Sequence, residues 1–181
     1  PASWEVPIKH LEATIEYDAC ILNQALENLP TTDSVRVHGH SRGGAVILEA
    51  MNQRPELYTN VEIILEAPAL PGGKTHPLIS ALLEPVSHGM WPWIIRFINS
   101  TSAGSYGQMF FGKMNRRKKQ LLYKLFTATK DHLTIVRNIE NLFDWMNRTD
   151  HSAYEHIRHG TFLIPRVDRI LDRNLMLASA Q

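Results

Sequence analysis

The chain has 181 residues, 44% of them hydrophobic and 20% charged, which is enough length and apolar content for one domain with a buried core and excludes a disordered chain. Its formal net charge of +1 is too balanced to argue for nucleic acid or an anionic membrane as partner. Cys20 is the only cysteine, so the chain can form neither an internal disulfide nor a cysteine-based metal site, and a reducing, cytoplasmic location is expected.

In chain order, Ile15, Ala19, Leu22, Leu26 and Leu29 recur at spacings of four, three, four and three, one apolar face of a helix over residues 11–29. "LPTTDS" breaks that helix. Val35 and Val37 begin a short strand, with Arg36 and His38 between them, and a second helix is expected from Gly43 to about Gln53, ahead of Pro55. "VEIILEAPAL" is rich in β-branched residues and reads as a strand stopped by Pro68. Helix, strand, helix, strand favours a parallel sheet, hence an α/β fold.

From about Pro71 to His159 the strand signal disappears. "LISALLEPV", "WPWIIRFI", "RKKQLLYKLFTAT" and "LTIVRNIENLFDWMN" read as helical pieces; in the last, Ile135, Ile139, Leu142 and Met146 recur at four, three and four. The most apolar patch, "MWPWIIRFI", carries Pro92 and Arg96 and is far too short to span a bilayer. "GTFLIPRVDRILDRNLMLASAQ" returns to strand, with the strand over Thr161 to Ile164, then loop and helix.

The stretch "SVRVHGHSRGGAVILEAM" runs a strand directly into a helix. The corner needs small neighbours, because the two backbones approach closely there, and Gly39 and Gly43 hold those places. Ser41 then sits at the apex, above the carboxyl end of its strand, where open parallel sheets bind ligands. It also stands at a helix N-terminus, whose free amides favour an anion. An alkoxide attacking a carbonyl needs both features, and the Arg42 N–H is placed to donate to the oxyanion that forms. The glycines are not followed by Lys-Ser/Thr, so this is not a phosphate-cradling loop.

Gly39-His40-Ser41-Arg42-Gly43 resembles the G-x-S-x-G nucleophile elbow of the α/β-hydrolases, in its strand-turn-helix context. The helix before it, the helix after it, "RPELYTNVEIILEAPA", a helical insertion resembling the family's cap, and "FLIPRVDRI" continue the resemblance through most of the chain. It implies a mainly parallel sheet flanked by helices: a core part over 1–70, a cap over 71–159 and a second core part over 160–181. It implies Ser41 as nucleophile, Asp168 as triad acid, Arg42 as oxyanion donor and Gly39 and Gly43 as elbow glycines. Pro165 stands where the family usually has glycine, so Asp172 stays open as the acid.

The implied activity is hydrolysis of an ester, thioester or lactone through an acyl-enzyme, with a small-molecule acyl substrate and no cofactor. Aromatic and Met residues of the cap, such as Met90, Trp91, Trp93 and Phe110, favour an apolar acyl or alkyl group. The alternative is a non-catalytic binding or scaffold protein of the same fold. The triad order also calls for a His after the acid, and none follows Asp168, so the catalytic His is unassigned. His38 and His40 are expected to pack structurally. His88, His132, His151, His156 and His159 are expected at the surface or in packing, and no H-E-x-x-H suggests zinc. The family's strands that precede the nucleophile strand also have no counterpart, so further residues or a partner chain are expected to complete the sheet.

Overall fold

The computed structural model of the protein describes residues 14–30, 34–75, 113, 115–118, 120, 132–148, 150–166, 168 and 171–179. The elements, in order, are α1 (Ile15–Glu27), β1 (Val35–His40), α2 (Arg42–Gln53), β2 (Val61–Glu66), α3 (His132–Met146), β3 (His159–Leu163) and α4 (Arg173–Ser179), with 3-10 turns at Pro55–Tyr58 and Ser152–His156. β1, β2 and β3 form a three-stranded sheet in that order, and both pairs are parallel. The α/β class is therefore as expected, and all three strands end on one carboxyl edge.

The helices start and stop for local reasons. Thr14 caps α1, its Oγ1 accepting from the Tyr17 amide at 3.1 Å. The apolar face ends with Leu26, and Leu29, which the spacing includes, is exposed. Asn23 stands buried on that face and is satisfied: its Nδ2 donates to the Ala50 carbonyl at 3.0 Å, and Oδ1 accepts from the Tyr58 hydroxyl at 2.8 Å. Burial raises the Tyr58 hydroxyl well above its usual range, so it stays a donor.

Alternation decides which sheet face is covered. In register, Val35, Val37 and Gly39 lie beside Val61, Ile63 and Leu65, and this side packs on the cluster that includes Ile47 and Leu48 of α2 and Ile15 of α1. The opposite side carries Arg36, His38 and His40 against Glu62, Ile64 and Glu66. Arg36 pairs with Glu62 at 2.7 Å and His38 with Glu66 at 3.0 Å, ladders suited to a wetted face. His38 and His40 are thus exposed, which corrects their expected packing role. Helices flank the sheet, as expected, with α1 and α2 packed on the side of Val35 and Val37. β1 pairs only with β2 among those residues.

α3 matches the helix expected from its apolar period, and it packs on the layer of α1 and α2. Asn141 Oδ1 accepts from the Ile15 amide at 2.7 Å, and Trp145 Nε1 donates to Glu49 at 2.9 Å. Arg148 bonds both Glu49, at 3.0 Å, and Glu16. The segment expected as a cap therefore contributes a helix to the layer over the sheet. The other expected pieces, "LISALLEPV", "WPWIIRFI" and most of "RKKQLLYKLFTAT", lie outside the described residues, as do His88, Met90, Trp91, Trp93 and Phe110.

Candidate functional site

One residue, Ser41, separates β1 from α2, and it takes φ 52° and ψ −119°. Side chains of L-residues rarely tolerate such a positive φ. The surrounding backbone enforces it. The Ser41 amide donates to the Glu66 carbonyl at 3.0 Å, and the Ser41 carbonyl accepts from Gly44 and from Ala69, both at 3.0 Å. Ser41 occupies the N-cap position of α2, yet its hydroxyl makes no capping bond. A serine at a helix start usually spends its oxygen on that bond; this one keeps it.

The glycines divide differently from the expectation. A Cβ on Gly39 would lie 2.6 Å from the Gly43 carbonyl oxygen and 2.5 Å from Ile47 Cδ1, so Gly39 is sterically required. A Cβ on Gly43 meets nothing within 4 Å. The crowded partner is Gly44, whose Cβ would lie 2.6 Å from Pro68 Cβ. Gly43 therefore contributes the backbone that Gly39 must clear, and Gly44 lets α2 approach the chain leaving β2.

That exit is strained as well. Ala67, directly after β2, has φ 41°, and Ser41 and Ala67 are the two non-glycine positive-φ residues among those described. The Ala67 amide donates to the Leu163 carbonyl at 2.8 Å, so the corners after β1 and β2 and the end of β3 are stitched in sequence along the carboxyl edge. Strain gathered at one sheet edge is a mark of functional sites.

Asp168 follows β3 by five residues, on the chain leaving that same edge, and is half-buried. Its Oδ1 accepts from the Leu171 amide at 2.9 Å, closing a turn. Asp172, the other candidate acid, caps α4: its Oδ1 accepts from the Asn174 and Leu175 amides at 2.9 and 3.2 Å. Capping occupies Asp172 with a structural task.

Arg42 opens α2, so its amide has no acceptor within the helix. Its side chain turns away to α1, where Nη1 meets Asp18 Oδ2 at 2.5 Å. No sequence pattern signalled this pair, because Asp18 and Arg42 belong to different helices and share no period.

Ser152 Oγ bonds Asn52 at 3.1 Å, so Ser152 lies by the last turn of α2, and the His151 ring lies beside Gly72. His159 opens β3 at the amino edge. There it helps line a cleft of about 870 Å³ with Ser34, Arg36, Asn60, Arg158 and Thr161. That cleft is at the opposite end of the sheet from Ser41. Among the described residues, no group of three or more His, Cys, Asp or Glu could hold a metal, and no helix is long and apolar enough to cross a membrane. No protein-family model matches the chain, and no match to it was found among curated proteins or solved structures.

Proposed function

We propose that the protein is a serine hydrolase of the α/β-hydrolase type, acting on an ester, thioester or lactone with an apolar acyl or alkyl group. The observation that carries this reading is the Ser41 corner: a positive-φ serine alone between a parallel strand and a helix, with its hydroxyl spared from capping. Ser41 Oγ attacks the carbonyl carbon as a histidine base takes its proton, and the carbonyl electron pair moves onto oxygen. The Arg42 amide donates to that oxyanion. Asp168 orients the histidine and stabilises its cation, and the proton passes to the leaving group. Water then cleaves the acyl-enzyme, and no cofactor takes part.

The test is a fluorophosphonate probe, which labels serines activated in this way. Labelling of the wild type at Ser41, lost in Ser41→Ala, together with hydrolysis of p-nitrophenyl esters, supports the reading. A non-catalytic binding or scaffold role is the second reading. It requires a wild-type protein inert to both reagents.

A further inference from the structure

Arg42 and Asp18 form an ion pair of an unusual kind. The side chains are 16% and 9% exposed, yet one contact, Nη1 to Oδ2, is all that joins them. Arg42 Nε and Nη2 and Asp18 Oδ1 are buried with no hydrogen-bond partner among the described residues. Arginine and carboxylate commonly meet through two parallel bonds, which satisfy more of the polar atoms. Here three are desolvated and receive nothing in return, so the pair is a poor device for stability. The fold already has a better tether between the same layers: Arg148 bonds Glu16 and Glu49 at once and keeps its head in water.

What the pair does fix is the residue after Ser41. The ψ torsion of Ser41, at −119°, sets the plane of the Ser41–Arg42 peptide and thus the direction of the Arg42 N–H. The Gly44 and Ala69 amides hold that peptide by its carbonyl, and the Arg42–Asp18 contact adds a second hold from the side-chain end. α1 is a firm anchor for that purpose, with Ile15 and Ala19 fully buried and its first amide held by Asn141.

We propose that Asp18 is a positioning residue: by holding the Arg42 side chain against α1, it keeps the Ser41–Arg42 peptide turned so that its N–H faces the oxyanion. The proposal rests on the hydrolase reading for the oxyanion, and on geometry alone for the tether. The test replaces both charges, in Asp18→Leu/Arg42→Met, and reads three quantities beside the wild type. The expected melting temperature is at or above the wild-type value, because an unsatisfied buried pair gives way to apolar contact. The expected kcat on p-nitrophenyl butyrate falls at least tenfold with KM within twofold, and amide exchange at Arg42 to Gly44 quickens at least tenfold. Asp18→Asn, a milder change, moves kcat and exchange in the same directions. A double variant that melts well below the wild type overturns the proposal, because the pair is then structural. Unchanged kcat and exchange in either variant overturn it too. A wild type that neither labels nor turns over sinks the hydrolase reading instead, and the exchange arm still reads the tether by itself.

Discussion

The Ala69 amide donates to the Ser41 carbonyl at 3.0 Å, so the corner after β1 and the exit from β2 form one hydrogen-bonded unit. Each half contains a residue of positive φ, Ser41 at 52° and Ala67 at 41°. Such backbone costs of order 1–3 kcal/mol per residue, and it persists only where neighbours over-determine it.

Glycine should release that strain. Ser41→Gly is expected to raise stability by about 1 kcal/mol, the strain relieved less the roughly 0.5–1 kcal/mol that glycine loses in chain entropy. Ser41→Ala keeps the Cβ and should leave stability near the wild-type value. Ala67→Gly should behave as Ser41→Gly does. Urea midpoints at constant m-value measure all three. If Ser41→Gly is less stable than Ser41→Ala, the corner is not strained in solution.

Adjacent glycines of α2 should respond with opposite signs. Gly43→Ala adds a methyl into open space on a helix and should stabilise by roughly 0.5–1 kcal/mol. Gly44→Ala drives a methyl to 2.6 Å from Pro68 Cβ and should destabilise by about 1–3 kcal/mol. Equal responses at the two positions would contradict the packing described between α2 and the chain after β2.

Much of this architecture was legible in the sequence. The apolar periods of α1 and α3 and the β-branched run of β2 are local signals, and the structure places elements there. The corner at Ser41 was legible because a strand and a helix abut with no room for a loop. What escaped was set by contacts between segments. The need for glycine falls on Gly44 because Pro68 comes to lie against it, which spacing within "GHSRGG" does not encode. Asn23 occupies a buried position of α1 because the Ala50 carbonyl and the Tyr58 hydroxyl satisfy it. The wet face bearing His38 and His40 follows from the alternation of Val35 and Val37 with Arg36 and His38, and the glutamates of β2 complete it.

Acid should weaken the junction of α1 with α3. Burial pushes the Glu16 carboxyl up, but its backbone hydrogen bond, Arg148 and Asn141 together outweigh burial and hold it below its ordinary value of 4.5. A carboxyl lowered in the folded state stabilises fully above its unfolded value and loses that contribution as pH falls through the folded one. The wild type should therefore lose an increment of melting temperature below about pH 4.5 that Glu16→Gln has already lost at pH 7. The gap between the two proteins should close as the pH is lowered to 3. A gap of equal size at pH 7 and pH 3 would show that the charge of Glu16 is not what counts.

Asp168 and Asp172 lie four residues apart in the chain and should separate cleanly by substitution. Asp172 caps α4 through two amide bonds, so Asp172→Ala should cost about 1 kcal/mol of stability and leave ester turnover close to normal. Asp168→Asn keeps the Oδ1 that accepts from Leu171, so that turn bond survives. On the hydrolase reading, what the change removes is the negative charge proposed to orient a histidine and stabilise its cation. Turnover on an activated ester should then fall by orders of magnitude, up to about 10⁴-fold, as at triad acids generally. Melting temperature and kcat measured on the same two preparations decide the matter. A kcat loss in Asp172→Ala with none in Asp168→Asn would transfer the acid role to Asp172, and a loss in neither would remove a carboxylate from this part of the chain from the mechanism.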